Sequence, residues 1–383
     1  MGQAGHSALV WMEQVARGWL TWEISGSAMD LGGVQAVRAI PFLVAPLIVG
    51  LAVDRFDRRL ILIGTQLTEV VVKLALALLI VTGQIAIWHL YVTSIVLGAS
   101  MSFNIPTRLA LTPSLVGKGE VTNAIALNST AMNVNKIMGP ILAGLIIAWA
   151  GTGGVYFAMV GVGCLTVFVT FLLRVPPEAK RRQALSWLHD LRDGLGYMLG
   201  HRDLMLVMGI ALATIILAWP YVTLLPIFAD EIFHVGAPGL GLMNAAIGIG
   251  ALLGSLFIAW RSDLARQGLV LVGLNFVFGV FILLFAFSPV FLLALISLAV
   301  VGFATTAFMA LTNSVLLRLT SAEYRGRVMA LFMIDRGLSP LGQVAAAGLA
   351  AVASAPIALG TFGALAVLVS AGFVLGSRRV RTL

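Results

Sequence analysis

Charged residues are scarce in this chain of 383 residues: they make up 10% of it, while hydrophobic residues make up 60%. A soluble globular domain carries about 25% charged residues, so this chain has too few to cover a water-exposed surface of its size. Its single cysteine, Cys164, excludes an internal disulfide and a metal site built from several cysteines. The composition therefore argues against a secreted, cytosolic or nucleic-acid-binding domain.

Long apolar runs take the place of the missing charge. A helix rises about 1.5 Å per residue and needs roughly 20 apolar residues to cross the hydrocarbon layer, whereas a barrel strand alternates over about ten. Continuous runs of this length predict an all-α polytopic membrane protein with twelve transmembrane helices. The predicted spans are residues 5–24, 31–53, 60–82, 88–116, 121–150, 153–173, 204–228, 238–260, 268–287, 290–317, 324–352 and 356–376.

Lys and Arg residues between the predicted spans fall on one side of the membrane. The even-numbered connections and the C-terminal tail hold all of them, and the odd-numbered connections hold none. Because cytoplasmic loops carry the excess of Lys and Arg, both termini are predicted to face the cytoplasm, across the inner membrane of a bacterium. The net charge of +8 then reports orientation in the lipid bilayer, and no nucleic-acid partner is expected.

A polar stretch divides the chain into two sets of six predicted helices. We predict an N-terminal six-helix bundle over residues 1–174, a cytoplasmic linker over 175–203 and a C-terminal six-helix bundle over 204–383. Four apolar linker residues share one helical face, which predicts an amphipathic helix on the inner leaflet or a plain connecting segment. They are Trp187, Leu188, Leu191 and Leu195.

The two halves of the sequence repeat each other at two places. Residues 110–114 correspond to 310–314, and residues 139–140 correspond to 339–340, both at an offset of 310 − 110 = 200. Two matches in corresponding spans indicate a duplicated unit and two pseudo-symmetric bundles. Such repeats predict a substrate path at the interface between the bundles, near the middle of the bilayer.

The end of the second predicted span and the loop after it carry a specific pattern, formed by Gly50, Asp54, Arg55, Arg58 and Arg59. The loop resembles the G-x-x-x-D-R-x-x-R-R motif of the major facilitator superfamily. The resemblance implies a conformational gate that latches the cytoplasmic side shut. The expected partner of the loop is the start of the eleventh span, where residues 320–323 have capping-box spacing. The alternative is a simple basic loop that only sets topology.

The fifth predicted span contains Gly139, Pro140 and Gly144. This stretch resembles the G-P-x-x-G-G motif of antiporter branches of the same superfamily, with Ala143 in place of one glycine. Proline removes a backbone hydrogen bond, and glycine lets a second helix approach closely. The alternative to an antiporter motif is a packing role.

Further segments are similar to one branch of the superfamily, the transmembrane secretion effectors that include enterobactin exporters and macrolide efflux proteins. These segments are residues 11–16, 18–20, 26–27, 38–42, 104–108, 193–195 and 325–331. The resemblance covers essentially the whole chain. It implies export of a small organic molecule, such as a siderophore or drug, driven by proton influx, with no cofactor and a monomeric protein. Family members carry a basic stretch before the first helix, which this sequence lacks, so its start is expected to be trimmed.

Ionisable residues inside the predicted spans are the remaining chemical signal, because such groups are costly in lipid and normally face a cavity or a partner. Glu13 and Arg17 lie four residues apart on the first helix, as do Glu69 and Lys73 on the third, so each couple can form an ion pair. For both couples, a structural ion pair and a functional site remain alternatives.

Three carboxyl groups are the candidates for proton coupling: Glu13, Glu69 and Asp335. Glu13 and Asp335 are favoured because burial disfavours the charged form of a carboxyl group. Five residues are candidates for lining a substrate cavity: Arg17, Arg38, Asn133, Lys136 and Arg336.

Export by proton antiport is the leading hypothesis from the sequence, and two other functions stay open. One is an uptake permease of the same fold, and the other is a membrane scaffold or inactive paralogue that transports nothing. Enzyme activity is not expected, since the sequence shows no nucleotide-binding lysine loop, zinc-ligand spacing or nucleophile array.

Overall fold

A computed structural model describes residues 2–44, 57–111, 120–173, 187–261 and 266–376, together with residues 379 and 381. Every regular element within these ranges is helical. Contacts divide the chain into two compact units. The first unit is Met1–Gln183 with Pro226–Ala245, and the second is Ala184–Leu225 with Ala246–Leu383.

The described part of the first unit is built from five helices of the N-terminal half, joined by residues from three later elements. The five helices are α1 (Gly2–Ser25), α2 (Ala28–Val44), α3 (Arg58–Val81), α4 (Ile87–Leu111) and α5 (Val121–Leu172). Helix α5 is continuous except at Gly151, where φ of 72° breaks it into the two predicted spans 121–150 and 153–173. Glycine adopts this left-handed conformation without steric cost.

The second unit begins with a short helix and continues through the later apolar helices. Its elements are α6 (Trp187–Gly200), α7 (Arg202–Ala218), α8 (Pro220–Ile227) with a π-helical turn at Phe228–Ile232, α9 (Gly236–Trp260), α10 (Gln267–Ala286), α11 (Phe291–Leu319), α12 (Arg325–Val352) and α13 (Ala355–Gly376). The end of α8, the π-helical turn and the start of α9 belong to the first unit.

Seven segments of the described chain are long and apolar enough to cross a membrane. They are Arg58–Val81, Ala126–Leu172, Arg202–Ile232, Gly236–Trp260, Gln267–Ala286, Phe291–Leu319 and Ala355–Gly376. Helices α1 and α12 have 24 and 28 residues, which is also enough for a span, but both carry charged residues along their length. The segment within α5 is long enough for two spans, since its 47 residues extend for about 70 Å.

Glycines bring α1 and α3 close to α5 in the first unit. A Cβ atom at Gly139 on α5 would lie 2.9 Å from the Cβ of Trp11 on α1. A Cβ atom at Gly163, further along α5, would lie 2.6 Å from a methyl group of Val70 on α3. Helix α5 therefore serves as the common support for α1 and α3, as small residues do in many membrane helix pairs.

Helix α6, in the predicted linker, docks onto the start of α12. Tyr197 stacks on Tyr324 with 4.2 Å between ring centroids, and its hydroxyl oxygen accepts a hydrogen bond from the Ser321 amide at 3.2 Å. Gly194 lies against the backbone of Arg327, whose guanidinium is 3.7 Å from Asp193. Leu195, on the predicted apolar face, is 43% exposed. The helix is therefore fixed to the second unit on one side and leaves Leu195 outside this contact.

The predicted capping box before the eleventh span is wrong. Helix α12 begins at Arg325, and its N-cap, Tyr324, makes no side-chain cap. Thr320 instead ends helix α11, where its hydroxyl donates a hydrogen bond to the Leu316 carbonyl. The spacing of residues 320–323 matched a cap because Thr and Glu lie three apart, but the chain turns once more before α12 starts.

A substitution at the backbone contact between α9 and α11 tests how tightly the second unit packs. A Cβ atom at Gly250 would overlap the carbonyl oxygen of Ala299, so we expect Gly250→Ala to destabilise the protein by about 1–3 kcal/mol. Gly273→Ala on α10 is the matched control, because a Cβ atom there meets nothing within 4 Å. Thermal unfolding in detergent would measure both variants. Equal melting temperatures for the two would contradict this packing.

Candidate functional site

Polar side chains form one stripe along α1 and another along α3 in otherwise apolar helices. On α1, Glu13 and Arg17 are each 2% exposed and lie one turn apart. On α3, Glu69 and Lys73 are 4% and 3% exposed, also one turn apart. Residues four apart share a helix face, so each stripe places an acid and a base on the side that faces the other helix.

Glu13 and Arg17 form a close ion pair within α1. Arg17 donates from Nε to Oε1 of Glu13 at 2.8 Å, and its Nη2 lies 2.8 Å from the same oxygen. Hydrogen bonds between charged groups are stronger than those between neutral ones. Arg17 Nη1 lies 3.2 Å from the Leu90 carbonyl, 3.1 Å from Thr93 Oγ1 and 3.0 Å from Ser94 Oγ. Arg17 therefore joins Glu13 to helix α4.

Lys73 on α3 lies between the two carboxyl groups. Its Nζ is 3.5 Å from Oε2 of Glu69 and 3.9 Å from Oε2 of Glu13. The predicted pairing of residues four apart is confirmed for both couples, and the contact between Lys73 and Glu13 joins them into one network. A single ammonium group is thus shared by two carboxyl groups on different helices.

His6, one turn into α1, extends the network at its other end. Its Nδ1 lies 3.7 Å from Oε2 of Glu69, and the residue is 6% exposed. This contact was not predicted from the sequence, because a single histidine near the start of a helix carries no spacing signal. Only the placement of α3 beside α1 brings His6 to Glu69.

A small cavity opens onto this network. Its volume of about 10 Å³ is close to the space that one water molecule needs, and its polar lining consists of Glu13, Arg38, Glu69 and Lys73. Arg38 on α2 reaches the cavity with Nη2 at 2.9 Å from the Met101 sulfur. Among the described side chains, no carboxylate lies within ion-pair distance of Arg38. The cavity walls therefore combine two carboxylates with Arg38 and Lys73.

A proton on either carboxyl group would change how the charges of this network pair. Moving charged groups out of water costs several kcal/mol each unless they are paired. When one carboxyl group takes up a proton, Lys73 loses one of its two partners and is drawn towards the other. Protonation is thereby linked to the position of a side chain that spans from α3 to α1.

The predicted gate loop is described only in part. Gly50, Asp54 and Arg55 lie outside the described residues. Arg58 is the first residue of α3, and Arg59 donates to the Phe171 carbonyl near the end of α5. The N-cap of α3 is Asp57, whose side chain accepts a hydrogen bond from the Arg59 amide at 2.8 Å. The acidic residue that caps this helix is therefore one that the motif does not include.

The predicted antiporter motif lies where α5 meets the start of α9. A Cβ atom at Gly144 would lie 2.6 Å from the Ala237 carbonyl oxygen, and one at Gly241 would lie 2.6 Å from the Pro140 carbonyl oxygen. Gly139 faces α1 instead. The glycines thus give close helix contacts on two sides of α5, and a role in antiport stays a prediction.

The remaining predicted residues either lie apart from the network or have side chains that the structure does not describe. Lys136 on α5 has its ammonium 5.3 Å from the Trp11 ring centroid, a cation–π contact, and Asn133 lies one turn earlier on α5. Asp335 and Arg336 belong to α12, and their side chains lie outside the described part of the structure.

Solved structures of membrane transporters share this all-helical fold. The nucleoside transporter NupG is similar with a TM-score of 0.78 at 14% identity, over 97% of this chain and 98% of that one. A D-xylose–proton symporter is similar with a TM-score of 0.72 at 14% identity, over 100% of this chain and 98% of that one. The chain therefore has the all-helical fold of these two transporters.

Sequence comparison narrows the class to one family. Residues 4–382 match the model of the transmembrane secretion effectors, and the chain belongs to this family of efflux-type transporters. It is a multi-pass membrane protein and not an enzyme, as the sequence predicted.

Three relatives illustrate the range of the family. The staphyloferrin A transporter of Staphylococcus aureus is 24% identical over 87% of this chain and 84% of its own length. The enterobactin exporter EntS of Escherichia coli O81 is 26% identical over 82% of this chain and 73% of its own length. Macrolide efflux protein A of Streptococcus pyogenes is 20% identical over 81% of this chain and 77% of its own length.

Charge balance inside the network gives a stability test. We expect Glu13→Gln to destabilise the protein by about 3–5 kcal/mol, because Arg17 is then buried without its carboxylate. The double variant Glu13→Gln with Arg17→Gln removes one charge of each sign and should recover much of that loss. Thermal unfolding in detergent would measure both, with the exposed Glu323→Gln as control. Additive losses in the double variant would contradict the pairing.

Proposed function

We propose that this protein exports a small organic molecule from the cytoplasm by proton antiport and alternating access. The observation that carries the proposal is the position of Lys73 between two carboxyl groups on separate helices. Its Nζ lies 3.5 Å from Oε2 of Glu69 and 3.9 Å from Oε2 of Glu13. Such a group responds to a proton by changing its partner. Relatives named for enterobactin export and macrolide efflux support export over uptake.

The proposed coupling begins when Glu13 or Glu69 accepts a proton. Lys73 then pairs with the carboxylate that remains, which changes the attraction between α1 and α3. A ligand shifts a two-state equilibrium by its differential affinity for the two states, and here the proton is that ligand. Release of the proton restores the shared arrangement. Asp335 is proposed as a second proton carrier on the C-terminal half.

The substrate is proposed to be an amphipathic compound such as a siderophore or a drug. Arg38, at the cavity, and Lys136, beside Trp11, are the cations of the first unit that are proposed to contact it. Arg17, Asn133 and Arg336 remain further candidates from the sequence. The loop from Gly50 to Arg59 is proposed as the cytoplasmic gate.

The proposed setting is the inner membrane of a bacterium, with twelve spans in two pseudo-symmetric bundles and both termini in the cytoplasm. The segregation of Lys and Arg to one set of connections supports this topology. A monomer that uses the proton gradient without a cofactor completes the proposal. The proposed domain boundaries are those of the sequence, at 1–174, 175–203 and 204–383.

Gradient-driven flux in inverted membrane vesicles tests proton coupling. With a pH gradient, the unmodified protein should move substrate against its concentration, and Glu13→Gln, Glu69→Gln or Asp335→Asn should reduce flux to the level seen without a gradient. Glu323→Gln, on the exposed turn before α12, is the control and should keep full dependence. Full coupling in all three test variants would overturn the assignment of the proton carriers.

Intact cells test the direction and class of substrate. Cells that express the protein should retain less of at least one compound among enterobactin, staphyloferrin A and a macrolide than cells that express Glu13→Gln. Greater accumulation in the expressing cells would favour an uptake permease. No flux of any compound in vesicles, with a folded protein, would favour a scaffold.

A further inference from the structure

The polar stripe on α1 continues past the charged network towards the start of the helix. Gln3, His6 and Ser7 precede Glu13 on α1, and Gln66 precedes Glu69 by one turn on α3. His6, Ser7 and Gln66 are 6%, 4% and 3% exposed. From Gln3 to Arg17 the stripe extends for about 21 Å, roughly two thirds of the hydrocarbon layer.

Several polar atoms along this stripe have no hydrogen-bond partner among the described residues. They are Nδ1 of His6, Oγ of Ser7, both side-chain polar atoms of Gln66, Oε1 of Glu69 and Oε2 of Glu13. Leaving such an atom unsatisfied costs about 1–3 kcal/mol, and buried polar groups without protein partners normally bind ordered water. A run of such atoms next to a water-sized cavity can bind a chain of water molecules and so form a hydrated path.

We propose that His6 and Gln66 form a proton path that connects the Glu69–Lys73–Glu13 network to the end of α1 and α3 where both helices begin. The inference rests on the proposed proton coupling and adds the route by which the proton arrives. His6 relays the proton on this route, and Gln66 acts as a positioning residue. His6 exchanges the proton with Glu69, and Gln66 holds water beside it.

The proton step at His6 uses both ring nitrogens. A neutral imidazole accepts a proton at one nitrogen and donates from the other, so no net charge stays on the ring after the step. A water molecule protonates the free nitrogen of His6, and Nδ1 passes its proton to Oε2 of Glu69 once side-chain motion closes their separation of 3.7 Å to hydrogen-bond distance. One proton leaves the water chain and one arrives on Glu69.

The charges around His6 favour transfer over storage of the proton. Burial disfavours a charged imidazole ring at His6 most strongly; Glu69 on α3 attracts such a ring, whereas Arg108 on α4 and Lys73 on α3 repel it. The carboxylate that attracts the proton is also the group that lies 3.7 Å from the ring, so the attraction directs the proton onward. The proton therefore moves on to Glu69, where it weakens the ion pair with Lys73.

Proton uptake after a rapid drop in pH tests the path without any transported substrate. The full-length protein in lipid nanodiscs is mixed with acid, and a pH-sensitive dye reports how many protons bind and how fast. We expect His6→Ala and Gln66→Leu to slow uptake at least tenfold while the number of protons bound to the glutamates is unchanged. His201→Ala, at an exposed histidine before α7, is the control and should match the unmodified protein in rate.

Added imidazole separates a relay from a structural role. The smaller side chain in His6→Ala leaves room for a free imidazole, which should restore much of the uptake rate, while Gln66→Leu should not respond. Unchanged uptake rates in both variants would overturn the path. An unmodified protein that binds no protons after the drop in pH would also overturn it. If His6→Ala fails to fold, Gln66→Leu alone decides.

The path and the proposed function fail in different ways. Normal uptake rates in the His6 and Gln66 variants, with transport still driven by a pH gradient, would remove the path and leave the antiport. Slowed uptake in these variants, with transport that ignores the gradient, would leave the path and remove the antiport.

Discussion

Burial of charge between apolar helices is the constraint on which the rest of this structure depends. Glu13, Arg17, Glu69 and Lys73 would each be costly in lipid alone, and they are gathered where they neutralise one another. Arg17 joins Glu13 to α4, and Lys73 on α3 joins Glu13 to Glu69. The observed pairing therefore joins α1, α3 and α4, and the proposed proton would change that pairing.

Close packing elsewhere leaves room for the charged side chains. Helices α1 and α3 both press against α5 through Gly139 and Gly163, which fixes the backbones while the polar stripes face each other. The long side chains of Glu13 and Lys73 then bridge the two helices. A small polar cavity remains beside Arg38. Rigid support beneath a network that can re-pair is a suitable arrangement for a conformational switch, because packed helices have discrete alternatives and deform little.

Much of this organisation could be predicted from the sequence, because hydrophobic length and charge segregation are strong signals in membrane proteins. The helical class, the efflux-type family and the ion pairs four residues apart all followed from local patterns. The link between Glu13 and Lys73 did not, since the two residues are 73 − 13 = 60 positions apart and only the fold brings them together. His6 and Gln66 were missed for the same reason. The capping box at residues 320–323 was wrong because a matching pattern does not fix where a helix starts.

The most direct test concerns the proposal that Glu13 and Glu69 form one titrating unit around Lys73. Infrared difference spectroscopy of the protein in lipid suits it, because a carboxyl group that gains a proton shows a carbonyl band that its ionised form lacks. We expect carbonyl bands on acidification, with one component that either Glu13→Gln or Glu69→Gln alters and that is lost when both are changed. Bands that all persist in full when both glutamates are replaced would contradict the shared titration.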